Sequence, residues 1–175
     1  VDLIISRTYS HESLTELARY STVPVINALS DNEHPCQIIA DLLTIQEKKG
    51  RLGGLTIAYV GDGNNVAKSL LLGAASVGAS FQSASPPGFG FQDSLLQIAH
   101  RIDPNSRIMC TDNITEAMKN ADVVYTDVWV SMGQEDETLK RRKAFVGYQV
   151  TPDLLSMANP DAIFMHPMPA HYGEE

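Results

Sequence analysis

Where an apolar run stops in this sequence, a group able to do chemistry tends to follow. Arg7 comes directly after Ile4-Ile5-Ser6, and a guanidinium at a strand end can fork onto a phosphate. It would serve equally as a surface charge. His34 and Gln37 stand three apart across Pro35, at what reads as a helix start. Both can then face one ligand where the helix dipole favours an anion; the plainer reading is a solvated cap with a spare histidine. Asn64 and Asn65 open another helix, and their amides suit a carboxylate or an amide, or merely cap the helix. Asp127 ends an apolar run beside Trp129 and suits an ammonium group, while Ser131-Met132-Gly133 offers free main-chain amides. A helix-capping turn would look the same. The last apolar run, Ala162 to Met165, meets His166-Pro167-Met168-Pro169, with His171 close behind. Neither proline can donate to a ladder, and each extends its predecessor, so the segment is a stiff loop or a binding wall.

These groups need a scaffold that gathers strand ends, and the hydropathy pattern supplies one. Leu3–Ile5 and Val23–Ile26 read as strands, with a helix over Glu12–Tyr20 between them. Pro35–Lys49 reads as a long amphipathic helix with Ile38, Ile39, Leu42, Leu43 and Ile45 as its stripe, stopped by Gly50. Beyond Gly53-Gly54 the pattern restarts. Strands are predicted at Leu55–Gly61, Ser80–Ala84, Arg107–Cys110 and Ala162–Met165, and Asp122–Val130 is a strand running into a loop. Helices are predicted at Asn65–Val77, Ser94–Ile102, Glu116–Asn120 (capped by Asn113 or Thr115), Glu137–Lys143 and Pro152–Ala158. Strands spaced by helices of this length imply right-handed βαβ units and a parallel sheet. The expected fold class is α/β: a doubly wound, Rossmann-like parallel sheet joined to the tail of a second α/β domain. In such sheets ligands bind beyond the carboxyl ends of the strands, where the candidate residues lie.

The composition narrows what the ligands are. Of 175 residues, 43% are hydrophobic, enough for a real core, and the net charge is −8 with no basic run, which argues against nucleic acid. An anionic ligand must therefore be held by a few placed groups against the overall field. Cys36 and Cys110 form neither a disulfide framework nor a zinc spacing, so a reducing compartment fits. No apolar run is long enough to span a bilayer, and no signal peptide is visible. Gly61 and Gly63 begin a dinucleotide fingerprint, but Val66 occupies the third glycine's place and the next strand, Phe81-Gln-Ser-Ala-Ser85, ends without an acid; no nicotinamide cofactor is expected. The chain opens on Val1 within a strand-like run and stops after a loop, as a segment of a longer protein would.

Taken together, "HPCQ" with "ADLLT", "GDGNN", "DVWVSMGQE" and the terminal "HPMP" resemble the carbamoyltransferases, and the Ser-Met-Gly loop resembles their ornithine branch. The resemblance runs over nearly all of the chain in the family's order. It implies that residues 1–33 are the end of a carbamoyl-phosphate domain, 34–54 the interdomain helix and linker, and 55–175 the amino-acid domain. It implies Arg7, His34 and Gln37 as carbamoyl-phosphate ligands, with His34 donating to the carbamoyl oxygen. Asn65 and the Met132 amide would hold the α-carboxylate of ornithine, Asp127 and Ser131 its α-amino group. His166, Pro167 and Met168 would form the wall beside the substrate side chain, with the last X-Pro bond cis. Arg7, His34 and Asp127 carry the catalytic expectation. The reaction is attack of the neutral δ-amine on the carbamoyl carbon with phosphate leaving, without metal or organic cofactor.

The family's phosphate loop precedes the stretch matched by Val1, and its closing helix follows Glu175, so this segment alone is expected to be inactive. Family members are homotrimers, in the cytoplasm or, in eukaryotes, the mitochondrial matrix, serving arginine biosynthesis or catabolism. One position departs: the ornithine branch has His-Cys-Leu-Pro where this chain has Pro167, and His-Pro-x-Pro is the aspartate branch's form. A different acceptor (aspartate, putrescine or an acylated ornithine) and a non-catalytic relative remain alternatives. The acidic loop "SMGQEDE" lacks the basic residues that aspartate would want.

Overall fold

The computed structural model describes every residue of the chain except Met132 and the side chain of Glu135. Among the described residues, seven strands form two separate parallel sheets. In the first, β1 (Ile4–Arg7) pairs with β2 (Val25–Leu29), and α1 (His11–Tyr20) makes the crossover. Both strands run further than predicted, to Arg7 and to Leu29. The ladder continues from Ile4↔Val25 to Arg7↔Leu29, because strand pairing is a main-chain property that Ser6 and Asn27 satisfy as well as isoleucine does. Arg7 is thus the last residue of its strand rather than the start of a loop.

The second sheet holds β3 (Thr56–Val60), β4 (Ser80–Ala84), β5 (Ile108–Thr111), β6 (Val123–Thr126) and β7 (Ile163–Met165), in the order β5-β4-β3-β6-β7 and all parallel. From β3 the chain winds outward through α3 (Asn65–Ser76) and α4 (Asp93–Ile102) on one face. It then returns past β3 through α5 (Ile114–Met118) and α7 (Pro152–Leu155) on the other. This is the doubly wound arrangement, with its switch point between β3 and β6. A 3₁₀ turn, Glu135–Glu137, leads into α6 (Thr138–Ala144). Asn113 is the cap of α5, its side chain accepting from the Glu116 amide. The helix predicted to run to Ala158 ends at Leu155, since the Met157 and Ala158 amides bond only three residues back, to the Leu154 and Leu155 carbonyls.

Alternation along the central strands builds two cores. Ile57 and Tyr59 of β3, with Val123 and Tyr125 of β6, face α3. Ala58, Val60 and Val124 face Met118 of α5. α2 (Pro35–Lys49) joins the two sheets. It starts on Pro35 and stops at Gly50, whose φ of 72° suits a residue without Cβ. Its predicted stripe needs correction. Ile38, Leu42 and Ile45 pack inward, but Ile39 and Leu43 are 68% and 59% exposed. The inward face follows i, i+3, i+4, i+7 from Ile38, and its i+3 member is Asp41, a buried carboxylate that an apolar count passes over. α2 lies close against α3 at Gly73, where an added Cβ would come within 2.7 Å of Ile38 Cγ2. No helix among the described residues is long and apolar enough to cross a membrane.

Candidate functional site

The loops leaving β3 and β6 sit side by side because those strands are neighbours, and here the polar residues gather. Asn64 caps α3 through Oδ1, which accepts from the Ala67 amide at 3.0 Å. Its Nδ2 is then free to reach across the switch point, donating to Asp127 Oδ2 at 2.7 Å and Ser131 Oγ at 3.2 Å. The Val128 amide donates to Asp127 Oδ1 at 2.8 Å. Burial pushes the Asp127 carboxyl upward, against the Asn64 and Val128 donors that favour its charged form. Asn65, the asparagine named from sequence, turns elsewhere. Its Nδ2 donates to the Ser30 carbonyl at 2.7 Å, tying α3 to the loop after β2. Both asparagines line the same cleft, but Asn64 is the one against Asp127. The doubled asparagine was the signal; which of the two is the cap decides which faces the acid.

Arg7, His34 and Gln37 converge on the other side of the cleft. The His34 amide donates to Ser69 Oγ of α3 at 2.9 Å, so the start of α2 is fixed to the second sheet's first helix. Burial, and then the Arg7 charge, push the His34 imidazole below its usual value, against a main-chain bond to Ala28 that favours the charged ring. Its Nδ1 is buried without a hydrogen-bond partner among the described residues. Gln37 donates through Nε2 to Asp41 Oδ1 at 3.0 Å, and Tyr125 of β6 donates to Asp41 Oδ2 at 2.7 Å.

The walls contain residues that sequence reading did not single out. Arg141 of α6 is buried and donates through Nη1 to Asp62 Oδ2 at 2.7 Å and to the Trp129 carbonyl at 3.3 Å; its Nε meets Glu137 at 3.0 Å. Its guanidinium lies 5.2 Å from the Phe89 ring centroid. One side chain thus clamps the loops after β3, β4 and β6. Trp129 stacks on Phe145 with centroids 5.7 Å apart, so its place in a loop has a packing cause. Gly133 (φ 85°) sits so close to Tyr9 that a Cβ would lie 2.5 Å from the ring, which brings the loop after β6 onto the loop after β1.

Pro167, Met168, Pro169 and His171 line the cleft, and the Met168–Pro169 bond is cis. His166 is outside the lining. Its Nε2 meets Glu175 Oε1 at 3.0 Å, and the charges of both groups act on Asp127. Met132 lies outside the described residues. His171, Glu174 and Glu175 bring ligand-type atoms within 4.8 Å of one another, but Glu174 pairs with Arg142 and Glu175 with His166. The cleft encloses about 600 Å³, with a cation and a neutral imidazole at one end and a buried carboxylate at the other. Such a cavity can hold an anion and an ammonium compound side by side.

Two family models match the chain. Residues 53–175 match the Asp/Orn binding domain of aspartate/ornithine carbamoyltransferase, and residues 1–47 match the carbamoyl-P binding domain. An ornithine carbamoyltransferase of Acidothermus cellulolyticus is 53% identical over the whole chain, which spans 57% of that relative's length. A catabolic ornithine carbamoyltransferase of Thermoplasma volcanium is 48% identical, again over the whole chain and 58% of its own length. Among solved structures, ornithine carbamoyltransferase from Pyrococcus furiosus superposes with a TM-score of 0.93 at 47% identity, covering 99% of this chain and 56% of that one.

Proposed function

This chain belongs to the aspartate/ornithine carbamoyltransferase family, and from that membership we propose that the complete protein transfers the carbamoyl group of carbamoyl phosphate to the δ-amine of ornithine, giving citrulline and phosphate. The observation that carries the reading is the meeting, in one cleft, of Arg7, His34 and Gln37 from one matched unit with Asn64, Asp127 and Ser131 from the other.

Arg7 offers a guanidinium to the phosphate. His34, held neutral by burial and by Arg7, stands where negative charge grows on the carbamoyl oxygen as the amine attacks; its neutral ring has a single N–H, which turns from the Ala28 carbonyl to that oxygen. Asp127, aligned by Asn64, takes the α-ammonium of the amino acid, and Asn65 stands at the carboxylate end. The neutral δ-amine then meets the carbamoyl carbon within the cavity; the C–O bond to phosphate breaks, the departing phosphate takes the amine's proton, and the protein contributes position and charge rather than a covalent intermediate. Aspartate suits the cleft less well, because Arg141 in its wall is already engaged by Asp62 and Glu137. The reading includes a homotrimer in the cytoplasm or mitochondrial matrix, a role in arginine metabolism, and division of the chain into residues 1–33, 34–54 and 55–175. The test is citrulline formation by the complete protein with carbamoyl phosphate and ornithine, run beside aspartate and putrescine. A preference for either competitor, or no turnover with any, overturns the reading.

A further inference from the structure

Asp41 lies outside the lining of the cleft, yet it decides what Gln37 presents there. It sits on the buried face of α2, between Ile38 and Ile45, and is 7% exposed. Both of its oxygens are occupied: Oδ2 by the Tyr125 hydroxyl at 2.7 Å and Oδ1 by Gln37 Nε2 at 3.0 Å. Tyr125 is itself fully buried, and burial followed by the nearby Asp41 charge pushes its hydroxyl far upward, so it remains a donor. Burial pushes the Asp41 carboxyl upward, against the Tyr125 and Gln37 donors that favour its ionised form, and an ionised carboxylate only accepts hydrogen bonds. Gln37 must therefore turn its NH₂ group to Asp41. The amide is planar, so Oε1 points away from Asp41, and Gln37 is itself one of the residues that line the cleft. A glutamine free on a helix surface could offer the cleft either a donor or an acceptor; this one is set to accept.

We propose that Asp41 is a positioning residue which, by fixing the amide of Gln37 with Oε1 towards the cleft, makes the site select its donor substrate by the carbamoyl NH₂. This deepens the carbamoyl-transfer reading and rests on it. Acetyl phosphate has nearly the same size and the same phosphate, but a methyl group where carbamoyl phosphate has its N–H donors. A site whose acceptor is held in place leaves that acceptor unpaired when the methyl compound binds, and rejects it accordingly. Asparagine at position 41 reverses the pattern. It can accept from Tyr125 and donate to Gln37, which turns Oε1 inward and places an NH₂ against the carbamoyl NH₂.

The experiment uses the complete protein and compares the KM for carbamoyl phosphate with the inhibition constant of acetyl phosphate, each confirmed by calorimetric binding. Asp41→Asn is expected to shrink the preference for carbamoyl phosphate by roughly tenfold or more, mainly by weakening the carbamoyl compound. Adding Gln37→Glu to Asp41→Asn should restore part of the preference, since a glutamate accepts from Asn and still offers an oxygen to the cleft. A merely structural role for Asp41 would weaken both phosphates alike and leave their ratio at the wild-type value. That outcome, or a double variant no better than Asp41→Asn, overturns the proposal. Should Asp41→Asn not fold, Gln37→Leu at its half-buried position carries the test: the preference must collapse, and a preference retained overturns the proposal. Absence of carbamoyl transfer by the unmodified protein would instead sink the underlying functional reading.

Discussion

Replacing Asn64 separates a helix cap from a role in the cleft, because its two ends do different jobs. Asn64→Ala removes the cap on α3, worth about 1 kcal/mol. It also removes the bond to the buried Asp127 carboxylate, worth about 1.5–3 kcal/mol, and the one to Ser131, worth about 1 kcal/mol. The expected loss of stability is about 3.5–5 kcal/mol. Asn64→Asp keeps an oxygen for the Ala67 amide and so keeps the cap. Its other oxygen faces Asp127 at the 2.7 Å now spanned by the amide. Two carboxylates so close share a proton, and the pair's apparent pKa is raised. The folded state then holds a proton that the unfolded chain releases at the ordinary carboxylate value, about 3.9. A raised folded pKa gives stability that is full below that value and is lost as pH rises through the folded value. Asn64→Asp should thus unfold near the wild-type urea midpoint in acid and fall away from it towards neutral pH. The wild type slopes the same way more gently, since burial already pushes Asp127 upward. In turnover, Asn64→Ala should raise the KM for ornithine roughly ten- to a hundredfold and leave that for carbamoyl phosphate within about twofold. Urea unfolding across pH, together with steady-state kinetics, reads all of this. A flat stability difference between Asn64→Asp and wild type, or an unchanged ornithine KM in Asn64→Ala, refutes the assignment of Asn64 to the acid of the site.

His34→Ala should lower kcat by roughly a hundredfold or more, about 3 kcal/mol of transition-state stabilisation, with a smaller change in the KM for carbamoyl phosphate; a raised KM at unchanged kcat would count against the oxyanion role. Pro167→Cys should improve kcat/KM for ornithine by roughly tenfold, because a thiol at that buried cleft position can bond the reacting amine and a proline ring cannot. No gain with ornithine, measured across pH, would remove that reading of the wall. Gly133→Ala should cost about 1–3 kcal/mol by chemical unfolding, because it puts a Cβ at φ 85° and 2.5 Å from the Tyr9 ring; a neutral substitution would show that the loop does not rest on Tyr9.

The order of elements was legible because it depends on local pattern. Alternating apolar runs and helical stripes place the five strands after Gly54, Pro35 and Gly50 bracket α2, and the residues that follow each strand mark where ligands can sit. Arg7, His34, Gln37, Asp127, Ser131 and Pro167 are named by that logic and lie on one cleft. Strand order was not legible, and the remaining details depend on it. Only the adjacency of β3 and β6 brings Asn64, the cap of α3, against Asp127, 63 positions away. The packing of α2 on the same core brings Tyr125 to Asp41, 84 positions apart, and the β3–β6 adjacency brings Asp62 to Arg141, 79 apart. Hydropathy is silent on such pairs: a charge within an apolar stripe reads as an interruption until its partner arrives from another strand. Ile39 and Leu43 show the converse, since α2 has one face against α3 and the stripe is wider than that face. Residue types and their spacing determined which chemistry the chain carries; the packing of distant segments decided which atom of each residue faces the cleft, because a buried donor or acceptor must turn towards whatever partner the fold sets beside it.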